Sequence, residues 1–324
     1  MATRLLQKTQ AGLREAMATT PSTDAVYSFT NEPLPVQVMP SQEAACGQGP
    51  QLLCWGCGDL GQTGRGGARD VCPQGGALEA FTPGKLGRVK LLACGSCHSI
   101  VVTVDNRIFT WGNGSSGQLG DGEKNVRDRP SEVFLSDRGS GPDAGQVMEV
   151  AGVACGSRHT FIWTLSGEIF SFGNNFNAQL AYDFRKMDFK ENQLVPHLFR
   201  NLPSQRITQV ACGDRHSLFA LEDGSVAACG ANDYGQIGTR CCEDATVPRF
   251  VEDLDNITSI ACGANHNLAL SDKGKLFQWG CGRACGNLKR NLPVPEEVPL
   301  PPVSVKAVRG GCWHSLLLTG RPLG

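Results

Sequence analysis

The sequence predicts an all-β fold, a β-propeller of about five blades, and three observations carry that expectation. A Cys-Gly-x-x-His unit recurs at Cys94 to His98, Cys155 to His159, Cys212 to His216 and Cys262 to His266, and a relaxed fifth copy ends Gly311-Cys312-Trp313-His314. A second unit, an aromatic or apolar residue followed by Gly, recurs at Trp55-Gly56, Trp111-Gly112, Phe172-Gly173, Cys229-Gly230 and Trp279-Gly280. The 324 residues also include 40 Gly beside 40% apolar side chains, the balance expected of many short strands separated by tight turns.

The histidines lie 61, 57, 50 and 48 residues apart, a spacing that suits one supersecondary unit per repeat. From each internal His to the next Gly the text reads strand, two-residue turn, strand, as in His98-Ser-Ile-Val-Val-Thr-Val-Asp-Asn-Arg-Ile-Phe-Thr-Trp111. Asp105-Asn106, Ser166-Gly167, Asp223-Gly224 and Lys273-Gly274 supply residues that tolerate the positive φ of a hairpin turn. Gly-rich corners follow the hairpins, at Gly58 to Gly64, Ser115 to Gly120 and Asp233 to Gly238, where the chain turns toward the next blade.

The first repeat unit in the chain is Trp55-Gly56 without a preceding His strand, and the last is His314 without a following Trp-Gly. Pairing of Leu52 to Trp55 with His314 to Leu318 would complete a blade from the N- and C-terminal strands, close the ring and remove its free edges. The expected organisation is therefore an N-terminal tail or short helix over 1–49, the propeller over 50–320 and a C-terminal tail over 321–324. Asp24 to Met39, Arg65 to Lys85 and Ala181 to Pro203 are the places where degenerate blades would raise the number to six or seven.

Taken together, these elements resemble the regulator of chromosome condensation repeat family, whose signature turn Gly-Gln-Leu-Gly stands at Gly117 to Gly120. The resemblance covers roughly residues 50 to 320 and implies that family's β-propeller, with fewer repeats than its seven-bladed members. The stretch Phe277-Gln-Trp-Gly-Cys-Gly-Arg-Ala-Cys-Gly286 is also similar to one in the secretion-regulating guanine nucleotide exchange factor branch.

Composition bounds the partners. With 30 basic and 31 acidic residues the formal charge is -1, so no excess positive field draws the chain to phosphate backbones, and direct nucleic-acid binding is not expected. Fifteen cysteines, no secretory apolar region at the start and no run long enough to span a bilayer fit a reduced intracellular setting, cytoplasmic or nuclear. Met1 to Met17 carry Arg4, Lys8 and Arg14 against Glu15, with Leu5, Leu6, Leu13 and Met17 near helical spacing. A short helix or frayed tail is the expected reading, and a mitochondrial presequence is the alternative.

Two motifs imitate chemistry. Cys54-Trp-Gly-Cys57 and Cys94-Gly-Ser-Cys97 have the spacing of a redox dithiol or of paired zinc knuckles, but Cys54 and Cys97 occupy slots that vary from repeat to repeat. A redox motif should also open a helix in a βαβ setting, so these cysteines are expected to pack or face solvent. His98, His159, His216, His266 and His314 are spread one per blade, cannot converge on one ion, and are expected to bond backbone groups at blade corners. They form the repeat framework with Trp55, Trp111, Phe172 and Trp279. No phosphate loop, nucleophile elbow or His-Glu-x-x-His helix is present, so neither cofactor, metal nor resident catalytic group is expected.

Function is expected on one face of the ring. The two variable residues of each Cys-Gly-x-x-His unit should project there: Ser96 and Cys97, Ser157 and Arg158, Asp214 and Arg215, Ala264 and Asn265, Cys312 and Trp313. Arg158, Asp214, Arg215, Asn265 and Trp313 are the candidate partner-binding residues, because Arg and Trp suit protein interfaces. Arg185, Lys186 and Phe189 join them from the insertion Tyr182 to Asn192, whose charges and aromatics suit a protruding loop. A non-enzymatic, monomeric interaction scaffold is the first expectation. The resemblance implies an alternative, a guanine nucleotide exchange factor that presses a wedge and acidic loop residues against a small GTPase, although only Asp214 is acidic among these loop positions. A chromatin-bound factor is the third reading, and it lacks the basic tail such a protein should carry.

Overall fold

The structure, a computed structural model, describes residues 34–35, 52–67, 70–71, 76–82, 84–135, 148–182, 191–199 and 206–322. Their ordered elements are all strands. The first sheet runs β1 (Leu34–Pro35), β2 (Val89–Cys94), β3 (His98–Thr103), β4 (Ile108–Gly112) and β5 (Arg127–Val133) in sequence order. Three four-stranded sheets follow. They are β6 to β9 (Val150–Cys155, His159–Thr164, Ile169–Gly173, Gln193–Phe199), β10 to β13 (Ile207–Cys212, His216–Leu221, Val226–Gly230, Ala245–Phe250) and β14 to β17 (Ile257–Cys262, His266–Ser271, Leu276–Gly280, Leu292–Glu297). A last hairpin joins β18 (Val303–Gly310) and β19 (Ser315–Pro322).

Antiparallel neighbours joined by short turns need φ values that L-residues resist, and the predicted turn residues supply them. Asn106, Gly167, Gly224 and Gly274 have φ of 67°, 88°, 81° and 75°. Strands β3, β7 and β11 are buried at every position, which explains why they read as continuous apolar runs rather than alternating ones.

The core is divided among the seams between blades. Ile100, Val102, Val153, Ile162 and Phe170 pack the first complete blade on the second, Phe161, Trp163, Val210 and Phe219 the second on the third, and Leu218, Val226, Ile260 and Trp279 the third on the fourth. Ala261, Leu268 and Val308 carry the packing on to the last hairpin. Each blade thus holds its neighbour by burial of apolar area, the dominant favourable contribution to such stacks.

Four complete blades and two partial ones account for the five repeats. The predicted pairing of Leu52 to Trp55 with His314 to Leu318 is not formed in this structure: β19 pairs with β18 alone among the described residues. Leu53 instead bridges Ala77 and Gly56 bridges Val71, so the Arg65 to Lys85 region folds back beside the first repeat as its outer partner. The described residues of that region form no blade of their own, and the described part of Ala181 to Pro203 supplies β9. Of Asp24 to Met39 only β1 is described, pairing Leu34 with Leu92 and Pro35 with Leu91. The remainder of residues 1–49, including Met1 to Met17, lies outside the described residues. No described helix is long and apolar enough to cross a membrane.

Candidate protein-interaction face

The Cys-Gly-x-x-His loops converge because their glycines must. A Cβ on Gly95, Gly156, Gly213, Gly263 or Gly311 would strike the ring of the histidine three residues later, and for the first four it would also meet the carbonyl of the next repeat's equivalent glycine. Successive repeats therefore approach backbone to backbone, and all five glycines line one central cavity of about 370 Å³. Asp214 and Arg309 supply the charge on its wall, with Ser96, Ser157 and Cys312 beside them.

The histidines lock one blade to the next. Nε2 of His98 lies 2.9 Å from Thr160 Oγ1, that of His159 3.0 Å from Ser217 Oγ, that of His216 2.7 Å from Asn267 Oδ1 and that of His266 3.0 Å from Ser315 Oγ. Thr160, Ser217 and Asn267 in turn donate to the carbonyls of Gln118, Gln179 and Gln236 in the preceding corners. Because those hydroxyl protons are already given to carbonyls, and Asn267 meets its histidine through an amide oxygen, His98, His159 and His216 must carry the proton on Nε2. The expectation that the histidines bond corner backbone directly is corrected: a side chain from the next blade stands between ring and carbonyl, which ties two blades in one network.

Burial holds these rings neutral. It lowers His98, His216 and His266 to about 4, and it lowers His159 to about 3 with help from the neighbouring histidines. Trp111 and Trp279 are buried and donate Nε1–H to the carbonyls of Gln62 and Gln236 at 2.9 and 3.0 Å, and Phe172 is buried as well. Trp55 differs, at 45% exposed, because its blade lacks the strand that would cover it.

The candidate contact residues part company. Arg158 is exposed and makes no ion pair among the described residues, while exposed Arg215 is held by Asp233 at 2.6 Å. Asp214 is half-buried at the cavity wall, its amide donating to Ala264 O at 2.9 Å, and Trp313 is 50% exposed. Asn265 departs from the expectation, since its side chain is buried and its Oδ1 meets no partner. The close packing of that loop turns it inward. Arg185, Lys186 and Phe189 lie outside the described residues.

Three of the four paired cysteines are shifted away from reactivity. Burial pushes the Cys54 thiol up to about 11 and raises Cys94 and Cys97 as well, the opposite of nucleophile activation. The four cysteines do not gather as one ligand set among the described residues. Cys57 lies with Asp59 and Asp70 at the surface, where Asp70 accepts the Gly58 amide at 3.0 Å.

Sequence reasoning missed the residues that complete the relay. The signal was present, since every repeat histidine is followed by a small hydrogen-bonding side chain: Ser99, Thr160, Ser217, Asn267 and Ser315. Arg309 was also missed, because no motif marks it.

Hairpin repeats stacked in this way, with their loops gathered on one cavity, define the β-propeller class of repeat protein. The chain belongs to the regulator of chromosome condensation family: the description "Regulator of chromosome condensation (RCC1) repeat" matches residues 105–163, 166–220 and 223–270, and a second form of it matches 89–118, 150–179, 207–236 and 257–286. Among curated proteins the chain is similar to the ultraviolet-B receptor UVR8 of Arabidopsis thaliana, 29% identical over 84% of this chain and 59% of that one. It is also similar to the probable E3 ubiquitin-protein ligase HERC6 of Homo sapiens, 31% identical over 74% of this chain and 22% of that one. The structure of Prp20p from Saccharomyces cerevisiae, described with its binding to Gsp1p and histones, superposes with a TM-score of 0.71 at 24% identity, covering 83% of this chain and 64% of that one. The chain thus spans less than two thirds of each of these relatives.

Proposed function

We propose that this chain is a non-enzymatic interaction propeller that binds another protein on the face formed by its Cys-Gly-x-x-His loops. The observation that carries this reading is the convergence of five loops on one cavity, with Arg158 and Trp313 exposed nearby and Asp214 on the wall. A guanidinium with no ion pair among the described residues and a half-exposed indole are the groups that gain most from burial against a partner. Arg215, already paired with Asp233, adds less. The test is affinity capture with the full chain against one carrying Arg158→Glu and Trp313→Ala. A partner retained by the first and lost by the second, at equal melting temperature, supports the reading. Equal capture by both sinks it.

A second reading is regulation of a small GTPase. It is favoured by the likeness to Prp20p, which binds Gsp1p, and by the position of Asp214 at the cavity wall. Release of a fluorescent guanine nucleotide from a panel of purified GTPases tests it: acceleration by the chain, slowed by Asp214→Ala, is expected, and no acceleration across the panel removes it. Histone binding, which Prp20p also shows, is the third reading, and a formal charge of -1 gives it no long-range support.

A further inference from the structure

In each complete blade the amide after the glycine that ends the third strand donates at 2.8 Å to the carbonyl before the repeat histidine: Asn113 to Cys97, Asn174 to Arg158, Ala231 to Arg215 and Cys281 to Asn265. One contact thus sets the start of every corner. In the second and third blades the corners then run alike. The Ala178 amide donates to Asn175 O and the Gly235 amide to Asn232 O, both at 3.0 Å, while the side chains of Gln179 and Gln236 accept the amides of Asn177 and Tyr234. Even the positive φ persists, 61° and 66° at Ala178 and Ala181 against 80° and 78° at Gly235 and Gly238.

Phe176 therefore stands in its blade where Asp233 stands in the next, and Arg158 stands where Arg215 does. All four residues are exposed. The third blade completes its own pair, Arg215 Nη2 donating to Asp233 Oδ2 at 2.6 Å. The second sets an aromatic ring in the place of that carboxylate: Arg158 has no ion pair among the described residues, and Phe176 is 60% exposed.

Asp244 reaches this corner from the third blade with both oxygens engaged, Oδ1 by the Asn232 amide at 2.9 Å and Oδ2 by Asn177 Nδ2 at 3.1 Å. It leaves Arg158 unmatched. A basic segment docking here would meet like charge, and a neutral one would desolvate the guanidinium without giving it a partner. A carboxylate with an apolar neighbour answers both the guanidinium and the ring. A phosphate dianion is better answered by a cluster of arginines, and Arg215 is committed to Asp233.

We propose that Arg158 and Phe176 together form the specificity site for a partner segment that carries an Asp or Glu side chain next to an apolar one, an inference that rests on the reading of this face as a protein-binding surface. The partner's carboxylate supplies to Arg158 what Asp233 supplies to Arg215 within the chain, and the apolar neighbour covers the Phe176 ring. The third blade is thus an internal template for the contact that the second blade makes with another protein. Water is excluded from the docked pair by the ring on one side and the partner on the other, so the attraction is screened less than between Arg215 and Asp233.

Selection of a random-peptide phage library on the full chain tests this, with the enriched peptides then made synthetically and titrated by fluorescence polarisation. Enriched peptides should carry Asp or Glu beside Leu, Ile or Phe. Their affinity should fall at least about tenfold with Phe176→Asp, which gives Arg158 a carboxylate from its own chain, and with Arg158→Ala, each at an unchanged melting temperature. No enrichment, enriched peptides without an acid, or equal affinity for the Phe176→Asp protein overturns the proposal. So does tighter binding of a peptide in which phosphoserine replaces the acid. Peptides held equally by Phe176→Asp but lost with Trp313→Ala remove this site and leave the face as a binding surface, whereas equal protein capture by the Arg158→Glu, Trp313→Ala chain removes the face itself.

Discussion

Lowering the pH should dismantle the propeller through its inter-blade histidines. A histidine that ordinarily titrates at 6.5 and is held near 4 when folded takes up its proton more readily in the unfolded chain, so its stabilising effect is complete above 6.5 and is lost as pH falls toward 4. Between pH 7 and pH 5 the loss is roughly 2 kcal/mol for each ring. His98, His159, His216 and His266 together give roughly 7 kcal/mol, comparable to the whole stability of many domains. Protonation also turns each Nδ1 into a buried donor, and none of those four atoms has a partner. The assay is the melting temperature by circular dichroism in steps from pH 7.5 to 4.5, with denaturant titrations to convert it to free energy. His159→Gln keeps a donor for Ser217 but cannot titrate, so the steepness of the pH dependence should fall by about a quarter. A melting temperature unchanged between pH 7 and 5, or an equal slope in that variant, would refute the reasoning.

Gly213→Ala should destabilise by about 1–3 kcal/mol, since its Cβ would strike the His216 ring and approach Gly263 O at 2.9 Å, whereas Gly274→Ala has open space and costs about 1 kcal/mol for its φ of 75°. Paired urea titrations compare them. Asn267→Leu removes the link between His216 and Gln236 O and leaves the buried ring N–H unmatched, while the carbonyl keeps the Trp279 indole donor, a loss of about 1–3 kcal/mol by the same measurement. Arg158→Glu should change the unfolding free energy by no more than the few tenths of a kcal/mol typical of surface changes while abolishing capture of the partner. A large loss of stability there would place Arg158 in the framework instead of the binding face.

The repeat histidines, the glycines after Trp111, Phe172, Cys229 and Trp279, and the turn pairs were legible in the sequence because each answers a local demand. A positive φ selects Gly or Asn, a fully buried strand selects an apolar run, and a close backbone approach excludes a Cβ. Such demands repeat with every blade, so they appear as periodicity. Contacts that join one blade to the next leave only a partial mark: the small polar residue after each histidine recurs, but nothing in its recurrence says which blade it meets. That His98 would find Thr160 rather than a corner carbonyl, that Asn265 would turn inward, and that Arg309 would share the cavity wall with Asp214 all depend on how the sheets stack. The same holds at the junction of the two ends. The unmatched Trp55-Gly56 and His314 were visible as text, but only the folded chain sets Leu52 to Trp55 against Ala77 and leaves β19 uncovered, since packing between distant segments is decided by the seams and not by the strands themselves.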